Sequence, residues 1–99
     1  MRLSLLRMAA FVYLLRCADG TLYCGWSSDP ERRLREHQAG TASRYTRTRL
    51  PVDLVYSREF ASRSEAMREE VRIKRLSPAE KRRLCLSGAG ASRSAARSF

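Results

Sequence analysis

The sequence has no asparagine, one histidine (His37), one tryptophan (Trp26), only two lysines (Lys74 and Lys81), and ten acidic residues against twenty basic ones. It also lacks an apolar run long enough to span a bilayer. Met8 to Leu15 is eight residues between Arg7 and Arg16, against the roughly 20 that a spanning helix needs. No small-x-small cleavage site follows it, and Arg16 directly before Cys17 does not suit a lipoprotein site, so the stretch reads as a buried strand. Three cysteines, Cys17, Cys24 and Cys85, with no C-x-x-C pair exclude a disulfide framework and a zinc knuckle and fit the reducing cytoplasm. Ninety-nine residues bury one modest core, so one domain is expected.

What is abundant is arginine. Eighteen of the twenty cations are arginines, the formal charge is +10 and the pI about 10.8, which points to a polyanionic partner, nucleic acid first. The guanidinium fork grips phosphate oxygens two at a time. Residues 1–61 carry 10 cations and 6 anions, residues 62–86 carry 8 and 4, and the rest adds Arg93 and Arg97. Charge spread this evenly suits a surface that tracks a phosphate backbone better than a basic arm.

Phe11 to Cys17 and Thr21 to Trp26 read as two strands joined at Ala18-Asp19-Gly20. A two-residue turn would put Tyr13 and Tyr23 on opposite faces. A three-residue loop with Gly20 left-handed pairs Cys17 with Thr21, brings Tyr13, Tyr23 and Gly25 to one face, and keeps Cys17 and Cys24 apart; this second form is expected because glycine sits where positive φ is required. Asp29 as cap and Pro30 in the first turn predict a helix to about Gln38, ended by Gly40, with Arg33 and His37 on one face. Thr41 to Arg49 reads as a loop. Val52 to Phe60 reads as a third strand with Val52, Leu54 and Tyr56 alternating. Ser62 with Glu65, and Ser77 with Glu80, are capping-box patterns opening helices through about Leu76 and Leu86. The expectation is an α/β fold, a three-stranded antiparallel sheet flanked by about three helices over residues 9–86, with a basic extension at 1–8 and a disordered tail at 87–99.

Several residues could carry chemistry. Ala66, Met67, Val71, Ile73 and Leu76 share one helical arc, and Glu70 falls near its middle, where a carboxylate is costly without compensation. It either pairs with Lys74 at i+4 or holds a hard divalent cation. Tyr13 and Tyr23 are ordinary sheet aromatics or, beside positive charge from Arg33 and a metal, activated phenols. Arg33 reads as a solvated charge or a phosphate ligand, and His37 as a cation at a helix end or a proton carrier. Gly25 marks a strand end or admits the close approach of a ligand backbone.

Val12-Tyr13-Leu14, then Tyr23-Cys24-Gly25 ten residues on, then Arg33 and His37, with Glu70 in a later helix, together resemble the GIY-YIG nuclease domain over roughly residues 10–86. More narrowly, the chain looks like the small stand-alone GIY-YIG proteins of bacteria. The resemblance implies phosphodiester cleavage in which Glu70 holds Mg²⁺ or Mn²⁺, Arg33 stabilises charge on the phosphate, and Tyr23 activates or orients the attacking water. It further implies that Tyr13 positions that water and His37 assists proton movement. Gly25, Arg33, Arg44, Tyr45, Arg47, Arg49 and Lys74 are the expected contacts to DNA or RNA. Phe11 and Cys24 replace the family's glycine and isoleucine, Trp26 follows Gly25, and the asparagine found after the metal-binding helix in repair and homing members has no counterpart. The expected function is a metal-dependent nuclease of little sequence specificity, in DNA repair or nucleic-acid processing. The competing reading is a nucleic-acid-binding module that does not cleave or cleaves slowly.

Overall fold

The computed structural model describes residues 9–87; the expected extension at 1–8 and the tail beyond Ser87 lie outside the described residues. The order is β1 (Ala10–Arg16), β2 (Leu22–Ser27), α1 (Pro30–Gln38), α2 (Arg44–Arg47), β3 (Asp53–Phe60), α3 (Arg63–Lys74) and α4 (Pro78–Leu86). The three strands form one antiparallel sheet in the order β2-β1-β3, which leaves β2 on an edge.

The hairpin takes the three-residue form. Gly20 has φ +88°, its N–H bonds the Cys17 carbonyl at 2.9 Å, and the Cys17 N–H bonds the Thr21 carbonyl at 2.8 Å. Tyr13 therefore lies opposite Gly25, and Leu15 opposite Tyr23, all on one face. Helix α1 begins where Asp29 accepts from the Arg32 N–H at 3.1 Å. Its last residue, Gln38, donates to the Val52 carbonyl at 2.7 Å and accepts from the Val52 N–H at 3.2 Å, clamping the helix end to the start of β3. The Ser77 capping box at α4 is complete. At α3 only one arm forms as expected, since the Glu65 carboxylate reaches the Ala61 N–H rather than that of Ser62.

The sheet is covered on both sides. Tyr13, Leu15, Cys17, Val52 and Leu54 pack with Tyr23, Leu34 and Leu50 beneath α1, while Ala10, Val12, Leu14, Cys24 and Tyr56 pack with Ala66 and Ile73 of α3. Cys17 and Cys24 thus occupy opposite layers, and all three cysteines are unpaired. No helix among the described residues is long and apolar enough to cross a membrane.

Three expectations are corrected. Among the described residues the helices number four, because the stretch read as a loop contains α2, held by the Ser43 cap and by burial of a single residue, Thr46; one turn has too few residues to show apolar periodicity. Tyr56 does not share a face with Val52 and Leu54. The pairing shifts between Leu14, opposite Tyr56, and Leu15, opposite Leu54, so Val55 is the extra residue of a bulge that turns Tyr56 to the other layer. On α3, Met67 and Val71 are about half exposed, at 47% and 48%. The helix is rotated so that Ala66 and Ile73 are its buried residues, and Glu70, between them at helical spacing, is carried toward the sheet.

Candidate active site and nucleic-acid interface

Four of the five expected catalytic residues assemble on the α1 side of the sheet. The Tyr13 hydroxyl lies 3.1 Å from His37 Nε2, and His37 Nδ1 lies 2.8 Å from Thr46 Oγ1. His37 and Thr46 are fully buried. Burial pushes the Tyr13 phenol up to about 12, against an opposing pull from Arg33, so it keeps its proton at neutral pH and donates to Nε2. His37 Nδ1–H then donates to Thr46, whose hydroxyl reaches the Ser43 carbonyl at 3.4 Å. Every member of the chain has a partner in this one direction. For Tyr13, burial outweighs the pull of Arg33 toward the phenolate.

Burial first, then the charge of Arg33, lowers the His37 pKa below its ordinary value, so His37 is a neutral core group rather than a cation at a helix end. The unfolded chain binds this proton more readily than the folded one. Stability therefore falls as pH drops below about 6.5, the unperturbed histidine value. The melting temperature of the wild type is expected to decline between neutral pH and about pH 5, above the ordinary carboxylate range. A pH-independent melting temperature in that window would contradict a buried neutral imidazole.

Thr46 has no motif that announces it as a site residue. The only signal is its place three residues after Ser43, a capping spacing that orients its backbone N–H toward the Ser43 hydroxyl at 3.3 Å. Thr46→Val keeps the shape and removes the partner of His37 Nδ1, at an expected loss of about 1–2 kcal/mol. Denaturant unfolding measures it, and Thr46→Ser should recover most of the loss.

Tyr23 is half-buried, its ring edge-on to His37 at 5.1 Å and stacked on Tyr45 at 5.8 Å. Its hydroxyl has no hydrogen-bond partner among the described residues. Arg33 bonds Glu36 through Nη1 at 2.7 Å and lies close enough to Tyr13 to act on its phenol, leaving other guanidinium donors for a phosphate. Gly25 serves a different approach from the one expected. A Cβ there would sit 2.6 Å from the Tyr13 hydroxyl oxygen and 2.7 Å from Cζ, so the space belongs to the tyrosine rather than to a ligand backbone.

Glu70 arrives from the other layer. Its carboxylate, 18% exposed, pairs with Lys74 Nζ at 3.2 Å, and after burial it is the leading influence raising the Cys24 thiol to about 12. Glu70 therefore stands beside β2 across the thickness of the edge strand from Tyr23. Among the described residues no group of three or more His, Cys, Asp or Glu could hold a metal ion. A lone, partly exposed carboxylate does fit a hydrated Mg²⁺ or Mn²⁺ that takes its remaining ligands from water and a substrate phosphate.

Of the expected nucleic-acid contacts, Arg49 is engaged within the fold. It bonds Asp19 at 3.0 Å and the Tyr45 carbonyl at 2.9 Å, and its guanidinium lies 3.8 Å from the Tyr45 ring centre. Tyr45 in turn donates to Thr21 at 2.9 Å, so both residues brace the hairpin turn. Arg44 and Arg47 are exposed on α2.

Comparisons with known proteins agree with this architecture. A UPF0213 protein of Halobacterium salinarum is 52% identical over 73 residues, covering 74% of this chain and 95% of that protein. A UPF0213 protein of Nitratidesulfovibrio vulgaris is 52% identical over 80 residues, covering 81% and 72%. The solution NMR structure of a UPF0213 protein from Bacillus halodurans is 41% identical, with a TM-score of 0.55 over 84% of this chain and 88% of that one. The model of the GIY-YIG catalytic domain matches residues 9–83, which span β1 to α4 and hold Tyr13, Tyr23, Arg33, His37 and Glu70, and the chain belongs to the GIY-YIG family.

Proposed function

We propose that the chain is a divalent-metal-dependent nuclease that hydrolyses phosphodiester bonds of DNA or RNA with little sequence specificity, in DNA repair or nucleic-acid processing in the cytoplasm. The observation that carries the reading is the Tyr23 hydroxyl, without a hydrogen-bond partner among the described residues and held beside a fully satisfied chain of Tyr13, His37 and Thr46, with Arg33 acting on Tyr13. Tyr23 orients the attacking water, and Arg33 meets the negative charge that develops on the phosphate. Tyr13, fixed by His37, holds the geometry and is not the base. Glu70 is the residue that would hold Mg²⁺ or Mn²⁺, which when bound supplies charge stabilisation at the phosphate and leaving oxygen. Because Glu70 and Tyr23 flank β2 from opposite layers, a phosphate served by both lies along the outer edge of that strand. Among the described residues no element is built to enter a groove and read base edges, so backbone contacts dominate.

The Glu70–Lys74 pair favours a second reading, a binding module in which the carboxylate is already neutralised. One assay separates the two: nicking of labelled single- and double-stranded DNA and RNA with Mg²⁺ or Mn²⁺, against the same reactions in EDTA. Metal-dependent products support the nuclease. Salt-sensitive binding without products supports the module.

A further inference from the structure

We propose that the cavity between the hairpin turn and the start of α4 is a phosphate subsite that holds the nucleic-acid backbone beside the outer edge of β2. It has a volume of about 310 Å³ and is lined by Asp19, Thr21, Leu22, Tyr45, Lys81 and Arg82, among others. At about 30 Å³ per water, that is room for a sugar-phosphate unit with some of its hydration. Lys81 and Arg82, the two cations in its wall, have no carboxylate within ion-pair distance among the described residues. The one acid in the wall is already occupied: Asp19 accepts from the Thr21 N–H and hydroxyl at 3.1 and 2.7 Å and pairs with Arg49. The cavity therefore presents two uncompensated cations against a neutral polar wall, the arrangement that attracts a phosphodiester.

Its position ties it to the site. Thr21 and Leu22 lead directly into Tyr23 on β2, Tyr45 stacks on Tyr23, and the charge of Lys81 reaches Cys24, as do those of Glu70 and Lys74. A backbone lying along the outer edge of β2 would pass from Lys81 and Arg82 to Glu70 and Tyr23. The inference rests on a nucleic-acid ligand and not on cleavage.

The test is binding of short fluorescein-labelled single- and double-stranded DNA and RNA in EDTA, measured by anisotropy over a range of salt. Lys81→Ala/Arg82→Ala should weaken binding and reduce the slope of log affinity against log salt by about 1.6, two contacts at about 0.8 each. Arg63→Ala/Arg68→Ala, which removes two exposed arginines outside the cavity, should change the slope by much less. In amide NMR spectra, the Thr21 and Leu22 signals should shift on titration with wild type and stay in place with the Lys81/Arg82 variant. Equal slope losses in the two double variants, unmoved Thr21 and Leu22 signals, or no binding by wild type would each overturn the subsite. Binding of the expected kind by a chain that leaves every substrate intact with Mg²⁺ or Mn²⁺ keeps the subsite and ends the nuclease reading. Cleavage by the Lys81/Arg82 variant with an unchanged KM does the reverse.

Discussion

Glu70→Ala is expected to lower metal-dependent cleavage by on the order of a thousandfold, a loss of about 4 kcal/mol of transition-state stabilisation, while the fold persists. Of the two carboxylates on α3 whose charge reaches Cys24 of β2, Glu70 acts more strongly than Glu69. The neighbouring Glu69 is bonded to Arg72 through both carboxylate oxygens, and its charge bears on Tyr56 as well as on Cys24. Removing Glu70 leaves Lys74, itself 53% exposed, in contact with water, so no charge is stranded in the core. A helical pair of this kind contributes only about 0.3–0.5 kcal/mol. The measurements are nicking rates with Mg²⁺ and Mn²⁺ alongside thermal unfolding by circular dichroism. A variant that melts like wild type and cleaves at the wild-type rate would remove Glu70 from the chemistry.

Gly25→Ala is expected to destabilise the chain by about 3 kcal/mol, toward the upper end of the range for an overpacked core, and to abolish whatever activity depends on Tyr13. The added methyl would meet the phenol 2.6–2.7 Å away. The ring has little freedom to retreat, because Tyr13 is 2% exposed and packed among Leu15, Cys17, Val52 and Leu54, with its hydroxyl on His37. Relief requires breaking that hydrogen bond or separating β1 from β2, and either one dismantles the chain to Thr46. In a domain of this size the loss corresponds to a fall in melting temperature of about 12–24 °C. A fall of only a few degrees with His37 ring signals unchanged by NMR would show that the tyrosine can move aside.

Much of the framework was legible because its determinants are local. Gly20 at the hairpin, Asp29 before Pro30, and Ser77 three residues before Glu80 each act within a few positions, and each predicted element appears where its signal stands. The hairpin register follows from the three-residue loop, and it delivers Tyr13, Tyr23 and Gly25 to one face. Arg33 and His37 share a helical face by spacing. The resemblance supplied their grouping into one site, and it supplied Glu70 as the metal carboxylate, since no local rule distinguishes that role from an ion pair with Lys74.

What stayed hidden depends on how elements pack. The bulge at Val55 answers a mismatch between β1 and β3 that neither strand carries by itself. Met67 and Val71 read as core until the rotation of α3 against the sheet turns them outward. Thr46 gains its partner only when α2 folds over α1, and Gly25 gains its purpose only when Tyr13 lies across it. The cavity at Lys81 and Arg82 joins residues sixty positions apart in the chain.

By itself, then, the sequence determined the strands, the longer helices, the basic character and the residues offered for catalysis, since periodicity, caps and charge are properties of neighbours along the chain. Only the tertiary structure decided, among the described residues, which phenol is buried and protonated, which has no hydrogen-bond partner, where Glu70 stands and which cations lack an ion pair. Those outcomes follow from desolvation and from distances between residues far apart in sequence, and neither exists until the layers close.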